Sequence, residues 1–135
     1  MTIELTVNWI AVIAASIISF LIGFIWFGVL FMDRWSKLVG LPKNFKEPHP
    51  IRTMFIGFFV TLLSVYILAL FIVNTGSTTA IGGMTIGLLI WLGCSIAANA
   101  GPVLWEKKPI GLLWLGLPYE LINLLLAGGI LGYWL

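Results

Sequence analysis

One acidic residue, Glu120, lies in the middle of a long apolar segment near the end of the chain, and Asn123 follows three positions later. In a helix, both side chains would lie on the same face. An ionised acid at the centre of a bilayer costs about 3 kcal/mol on insertion scales for Asp, so it must face protein or a wet cavity. Its chemistry would be that of a proton or cation site, with Asn99, Ser95 and Asn123 as candidate neighbours.

The alternative interpretation of Glu120 is structural. A protonated glutamic acid can hydrogen-bond a neighbouring helix and fix its register. Proton relays usually need a chain of titratable groups, and no second charged residue accompanies Glu120 within the apolar segments. The sequence therefore favours the structural interpretation over the functional one.

A second set of candidates lies in two short segments where basic and aromatic residues meet. Arg34 and Lys37 could contact lipid headgroups, and each base contributes about 1 kcal/mol near an anionic surface. The other segment contributes Trp105, Glu106 and Lys107. A pair between Glu106 and Lys107 would be an exposed contact worth less than about 1 kcal/mol. We expect these residues to contact headgroups rather than to catalyse a reaction.

The sequence lacks the common signatures of catalysis and cofactor binding. It has no glycine-rich phosphate loop, no GxSxG elbow and no HExxH pair. His49 lies between two prolines without Cys, His or Asp at ligand spacing, and the single Cys94 excludes an internal disulfide. No basic patch alternates with exposed aromatics, so nucleic acid is not an expected partner. We predict no catalytic residue, no metal and no cofactor.

Composition identifies the solvent of this chain. Hydrophobic residues make up 61% of its 135 residues and charged residues only 9%, and the mean hydropathy is +1.12. A soluble domain carries about 25% charged residues, because its surface faces water. Lipid must therefore be the main solvent, and membrane lipids are expected partners.

The apolar residues fall into four runs long enough to cross a bilayer, since each holds about 20 residues. The runs are 9–31, 53–73, 81–104 and 110–134. The predicted fold is an all-α integral membrane protein, in which four transmembrane helices form one compact bundle and one domain. A basic, proline-containing loop is predicted over 32–52.

The basic residues indicate the orientation of the bundle. With four spans, the first and third connections lie on the same side of the membrane. Every basic residue falls in these connections or at their edges: Arg34, Lys37, Lys43, Lys46, Arg52, Lys107 and Lys108. The positive-inside rule then predicts a cytoplasmic loop 32–52 and both termini outside. We expect a bacterial cytoplasmic membrane location.

Each run carries small residues at helical spacing, which matters because lipid is as apolar as leucine and helices associate through close backbone approach. These small-residue ladders are Ala11, Ala15, Ser19 and Gly23; Thr53, Gly57 and Thr61; Gly83 and Gly87; and Gly128 and Gly132. They suffice to assemble one bundle and leave surface for contacts between protomers. We therefore predict a homo-oligomeric structural, interaction or lipid-organising bundle. The alternative is a small proton- or cation-coupled transporter or channel with Glu120 as its titrating group.

Several segments together resemble a group of small bacterial membrane proteins. The segments are Asn8-Trp9-Ile10-Ala11-Val12, Ile25-Trp26-Phe27-Gly28-Val29-Leu30-Phe31, Leu38-Val39-Gly40, Leu104-Trp105-Glu106-Lys107-Lys108-Pro109 and Gly129-Ile130-Leu131-Gly132-Tyr133-Trp134. The group is the domain of unknown function 1761, and the resemblance covers nearly the whole chain. It implies a four-span bundle and no known activity. An acid at Glu120 is not expected as a family feature, so shared function would be sought at the Trp-Glu-Lys-Lys-Pro turn.

Overall fold

The computed structural model describes residues 2–42, 46 and 48–135. These residues form six α-helices and two π-helical turns, and no strand occurs among them. The elements are α1 (Trp9–Ile25) with its π-turn (Trp26–Leu30), α2 (Met32–Val39), α3 (Pro50–Asn74), α4 (Ala80–Ile90), a second π-turn (Trp91–Ser95), α5 (Ile96–Trp105) and α6 (Ile110–Trp134).

Four of the helical segments are long and apolar enough to cross a membrane. They are the first span (Trp9–Leu30), the second (Pro50–Asn74), the third (Ala80–Trp105) and the fourth (Ile110–Trp134). They pack into one bundle, which confirms the predicted all-α, four-span fold. The antiparallel order brings both termini and the turn at 75–79 to one end of the bundle, and α2 and the turn at 106–109 to the other.

Local sequence explains where the spans begin. The Asn8 side chain caps α1 by accepting from the backbone N–H of Ile10 at 3.1 Å. Thr79 caps α4 in the same way through Gly82 at 2.9 Å. A proline occupies the first position of α3, where its missing N–H leaves no hydrogen bond broken.

Two parts of the segment predicted as the loop 32–52 are helical. They are α2 and the first residues of α3. Helix α2 is strongly amphipathic: Leu38 packs against Gly111 at the start of α6, and Trp35 meets Phe27 edge-on, with ring centroids 6.2 Å apart. Gly40 ends the helix at a φ of 86°, which favours glycine. Residues 43–45 and 47, which include the basic residue Lys43, lie outside the described residues.

The tightest packing in the bundle joins α4 to α6. We call this contact the glycine seam, formed by Gly83, Gly87, Gly128 and Gly132. A Cβ added at Gly83 would overlap the carbonyl of Gly128, and one added at Gly132 would overlap the carbonyl of Thr79. Only glycine allows the two backbones to approach this closely. Two of the four predicted ladders are thus used within a single chain.

Residues 2–8 form a strap across the same end of the bundle. The backbone N–H of Glu4 donates to Asn74 Oδ1 at 2.8 Å, and Asn74 Nδ2 returns a bond to the Glu4 carbonyl at 2.9 Å. Tyr66 donates from its hydroxyl to the Leu5 carbonyl at 3.0 Å and stacks on Trp9 with centroids 5.0 Å apart. The strap therefore fixes the start of the first span to the end of the second.

Candidate functional site

A cavity of about 730 Å³ opens between α3, α6 and the middle of the third span. We call it the α3–α6 cavity. Helix α3 packs against α4 and α6, while the second π-turn and α5 pack against α6, so a gap remains beside α3 at mid-span. The lining residues used below are Ser19, Leu63, Ser64, Ile67, Phe71, Cys94, Ser95, Tyr119, Glu120 and Asn123.

The rim of the cavity lies on the surface that would meet lipid. Leu63, Ile67 and Phe71 on α3 are exposed, with 61%, 42% and 52% of their surfaces accessible. Cys94, on the second π-turn, is also exposed and carries a free thiol. The cavity is thus open sideways, toward the hydrocarbon of a bilayer, with an apolar entrance.

The inner wall of the cavity carries Glu120. Its Oε2 accepts a hydrogen bond from Asn99 Nδ2 at 2.8 Å, and the same amide donates to the Ser95 carbonyl at 2.8 Å. A Cβ added at Gly116 would lie 3.0 Å from Asn99 Oδ1, so this glycine makes room for the amide. Within the described part of the chain, Glu120 forms no ion pair.

Asn123 forms no hydrogen bond with Glu120, although the two share a face of α6. Its Nδ2 donates to the Tyr119 hydroxyl at 3.1 Å, and that hydroxyl fills the space left by Gly23 on α1. The Asn123 Oδ1 is buried without a hydrogen-bond donor. An orphaned buried acceptor costs about 1–3 kcal/mol, and most buried polar groups in proteins avoid this cost by forming a hydrogen bond.

The serines of the cavity differ from the hydroxyl residues elsewhere in the spans. Ser16 and Thr85, outside the cavity, each donate to the backbone carbonyl four residues earlier, at 2.7 and 2.8 Å, and Thr61, at the edge of the cavity lining, does the same at 2.9 Å. This back-bonding is the usual way for a helix to satisfy such a hydroxyl. By contrast, the hydroxyls of three lining serines make no hydrogen bond to any described residue. They are Ser19, Ser64 and Ser95.

Two tryptophans attach the neighbouring spans to α6 in the turn just before Pro118. Trp26 Nε1 donates to the Leu115 carbonyl at 3.1 Å, and Trp91 Nε1 donates to the Leu117 carbonyl at 2.9 Å. Pro118 contributes no N–H to α6, and such a break is tolerated in a span where neighbours satisfy the backbone. Nothing in the sequence indicates which carbonyls accept these bonds, although a buried indole N–H usually finds an acceptor.

Each of these tryptophans is the first residue of a π-turn. A π-turn inserts one residue into a helix and changes the direction of the side chains that follow, and such turns are frequent at functional sites. In the third span, the π-turn carries both Cys94 and Ser95 at the cavity. The geometry beside Glu120 is therefore set by one proline and two π-turns.

The other predicted site residues lie away from this cavity, at the end of the bundle that holds α2. Arg34 and Lys37 are exposed on α2, and Trp105 is 83% exposed. Lys107 donates from Nζ to the Leu104 carbonyl at 3.2 Å and has a φ of 57°, and Glu106 forms no ion pair with a described residue. These positions suit contact with headgroups, but the structure does not join them to Glu120.

The part of the chain that the structure describes holds no cluster of three or more His, Cys, Asp or Glu residues suited to a metal ion. Comparison with curated proteins gave no match, and comparison with solved structures gave none either. A family model described as a protein of unknown function, DUF1761, matches residues 10–132, nearly the whole chain. This four-span membrane protein therefore belongs to the DUF1761 family.

Proposed function

We propose that this protein binds a lipid-soluble molecule inside the membrane, in the α3–α6 cavity. The observation that carries the proposal is the contrast between the rim and the inner wall of the cavity. The rim presents exposed apolar side chains of α3. The wall carries the Glu120 carboxyl and three free serine hydroxyls, and the lining residue Asn123 has a buried amide oxygen without a donor. A molecule with an apolar chain and a polar head would satisfy both surfaces.

The physics of the bilayer supports an occupant. Polar groups that face hydrocarbon without a partner cost several kcal/mol each, and a lipid tail alone could not satisfy them. The volume of about 730 Å³ falls in the range of about 300–1,000 Å³ that is usual for small-molecule sites. The proposal narrows the predicted lipid-organising role to the binding of one molecule in one defined place.

A homo-oligomer remains a prediction, with weaker support from the small-residue ladders. Gly83 and Gly87 face Gly128 and Gly132 within one chain, and Ala11, Ala15 and Ser19 are buried in the same bundle. These faces are no longer free for a second protomer. Native mass spectrometry of the protein extracted with its lipids would measure the oligomeric state and would detect any retained small molecule.

The second candidate is a carrier that couples release of the ligand to a proton or cation at Glu120. Its support is the position of an unpaired carboxyl next to Pro118 and the two π-turns, where the helices can bend. A channel has less support, because the glycine seam leaves no space between α4 and α6. A carrier would lose pH-dependent flux in Glu120→Gln, whereas a pure binding protein would support no flux in either form.

Orientation is also a proposal. In the described residues, every Lys and Arg lies at or near the end that holds α2 and the turn at 106–109. The positive-inside rule supports a cytoplasmic location for this end and an extracytoplasmic location for both termini.

The binding proposal is tested by photolabelling in lipid nanodiscs. The probe is hexadecanol with a diazirine in its chain, which partitions into the bilayer without charge. We expect labels on the cavity-lining parts of α3 and α6, well above those on other lipid-facing residues. Filling the cavity with Ser64→Trp should reduce this labelling about tenfold, as the loss of about 1.4 kcal/mol would.

The matched control is Ile56→Trp, which adds the same side chain to the same helix at a position that is 54% exposed and does not line the cavity. It should leave the labelling unchanged. Labels spread evenly over the lipid-facing surface, and equal in wild type and Ser64→Trp, would contradict the proposal.

A further inference from the structure

We propose that the ligand of the α3–α6 cavity is a lipid-soluble amine, a molecule with one apolar chain whose ammonium group pairs with Glu120. This inference rests on the proposed binding function and assigns the chemical class of its ligand. It follows from the charge of the cavity wall, from the number of hydrogen-bond acceptors there, and from the cost of placing a charge in a bilayer.

Among its described residues, the wall of the α3–α6 cavity carries an acid without a base to match it. Glu120 is the only acid that lines the cavity, and no Lys, Arg or His is among the described lining residues. The described basic residues lie at or near the ends of the spans; they are Arg34, Lys37, Lys46, His49, Arg52, Lys107 and Lys108. One neutral amide, from Asn99, is the partner of the Glu120 carboxyl. The wall therefore holds one negative charge or acidic proton with no cation to match it.

The cavity has more hydrogen-bond acceptors than donors that could satisfy them. Glu120 Oε1 makes no hydrogen bond to a described residue, and Asn123 Oδ1 is buried without a donor. The free hydroxyls of Ser64 and Ser95 add further acceptors at the same cavity. An ammonium group carries three N–H donors and no acceptor, so it matches this surplus. An alcohol offers only one donor, and a carboxylate offers none and would repel Glu120.

An isolated charge in a bilayer has a high free-energy cost, whereas a pair of opposite charges that is also hydrogen-bonded is tolerated. A neutral amine that meets the acid form of Glu120 takes the carboxyl proton, so that an O–H bond breaks and an N–H bond forms. The products are an ammonium and a carboxylate held together. No net charge enters the membrane, and no further reactant is needed.

The shape of the site is consistent with this class of ligand. The apolar side chains of Leu63, Ile67 and Phe71 lie at the rim, on α3, while Glu120 lies on α6. An alkyl chain would lie along α3 and remain in contact with lipid. The amine at its end would reach the polar wall through the lateral opening.

The test compares two photolabels of equal chain length, a diazirine hexadecylamine and the matching hexadecanol, in nanodiscs of uncharged phosphatidylcholine. In wild type, we expect the amine to label cavity residues at least about tenfold more than the alcohol, a difference of about 1.4 kcal/mol. In Glu120→Gln, the preference should fall to within about twofold, because the amide keeps the size of the side chain and removes its charge. Unlabelled hexadecylamine should compete with the amine label in wild type.

The control variant is Glu106→Gln, which makes the same change at an exposed acid outside the cavity. It should keep the full preference for the amine. If Glu120→Gln fails to fold, the comparison of amine with alcohol in wild type still decides the question. Equal labelling by the two probes in wild type, or an undiminished preference in a folded Glu120→Gln, overturns the amine proposal.

The outcomes separate this inference from the proposed function. If the alcohol and the amine label the cavity equally, the ligand is not specifically an amine, but the proposed binding function still holds. Labelling of the cavity by neither probe would remove both. A preference that Glu106→Gln abolishes as well would assign the effect to general surface charge and would also overturn the proposal.

Discussion

Helix α6 packs in two different ways along its length, and the contrast separates what holds the bundle together from what makes a site. Near its end, Gly128 and Gly132 meet α4 with no side chain between the backbones. About two turns earlier, Tyr119, Glu120 and Asn123 face a cavity instead of a helix. The glycine seam is dry and closely packed, while the α3–α6 cavity keeps unsatisfied polar groups at mid-span.

The difference arises from the residues that control helix separation. Small residues let two backbones approach, and dispersion between them replaces contacts with lipid. In the cavity half, the neighbouring spans reach α6 through side chains: the indoles of Trp26 and Trp91 donate hydrogen bonds to carbonyls beside Pro118. The seam therefore joins α6 to α4 by direct backbone contact, whereas the cavity half is joined to its neighbours by fewer, directional bonds.

The largest loss of stability is expected from a substitution that separates the two helices of the glycine seam. Gly83→Ala introduces a Cβ where the Gly128 carbonyl lies, so α4 and α6 must separate. We expect a loss of about 3 kcal/mol in the free energy of unfolding, at the upper end for overpacking. The measurement is unfolding in mixed lipid micelles by titration with sodium dodecyl sulfate, followed by circular dichroism.

The control for this change is Gly93→Ala in the same span, where an added Cβ meets nothing within 4 Å. It should be neutral or stabilising by up to about 1 kcal/mol, because Gly is the poorer helix former. Equal destabilisation by the two variants would show that the seam is no tighter than the lipid-facing surface.

A substitution in the cavity half of α6 is expected to stabilise the protein instead. Asn123→Leu removes the orphaned Oδ1 at similar side-chain size. It also removes the bond to the Tyr119 hydroxyl, which is worth about 0.6 kcal/mol inside a membrane protein. Since the orphaned acceptor costs about 1–3 kcal/mol, we expect a net stabilisation of about 1 kcal/mol in the same titration.

Asn74→Leu is the contrasting variant, because the Asn74 amide is satisfied by Glu4 and Leu70. It should destabilise the protein by about 1 kcal/mol, the usual value of a lost hydrogen bond. A destabilising Asn123→Leu would mean that the amide supports the fold as it stands, and the contrast between seam and cavity would then disappear.

The four spans could be predicted because their signal is additive. About 20 apolar residues in a row give a span whatever the neighbours do, and the observed bounds lie within a few residues of the predicted ones. The segment 32–52 was harder. Helix α2 is short, and it forms where Leu38 and Trp35 can pack on α6 and on the first π-turn, which no local propensity reveals.

The site could be predicted only in part. Glu120 was singled out because an acid in an apolar run is expensive. Of its candidate neighbours, Asn99 donates a hydrogen bond to its carboxyl, and Asn123 donates to the Tyr119 hydroxyl. The π-turns at Trp26 and Trp91 gave no signal, because a one-residue shift in register is invisible where nearly every position is apolar. The cavity itself depends on how far the spans separate.

A smaller effect sharpens the role of the directional bonds in the cavity half. Trp91→Phe keeps an aromatic ring and removes the donor to the Leu117 carbonyl. We expect a loss of about 0.6 kcal/mol, the average for such bonds between membrane helices. Trp114→Phe is the control, since Trp114 is 68% exposed and has no hydrogen bond to a described residue. An equal loss of unfolding free energy in both variants would show that the hydrogen bond of the Trp91 indole does not contribute to stability.

The smallest effect concerns the strap, at the same end of the bundle as the seam. Hydrogen bonds from the Thr6 side chain and backbone lower the pKa of Glu4. Because the pKa of Glu4 is lower in the folded protein, its ionised carboxylate stabilises the strap at pH values above the ordinary pKa of a glutamate. This stabilisation is lost as the pH falls through the lowered pKa. Because Glu4 is fully exposed, solvent screens the interaction and the change should stay local.

Trp9 stacks on Tyr66 next to the strap, so tryptophan fluorescence should report a small transition in wild type as the pH falls below the ordinary pKa of a glutamate. Glu4→Gln should remove that transition and leave the unfolding of the bundle unchanged, because the backbone bonds between Glu4 and Asn74 do not titrate. A transition that persists in Glu4→Gln would assign it to another acid. A shift in global stability would instead mean that the strap and the seam unfold together, which would make this end of the bundle a single cooperative unit.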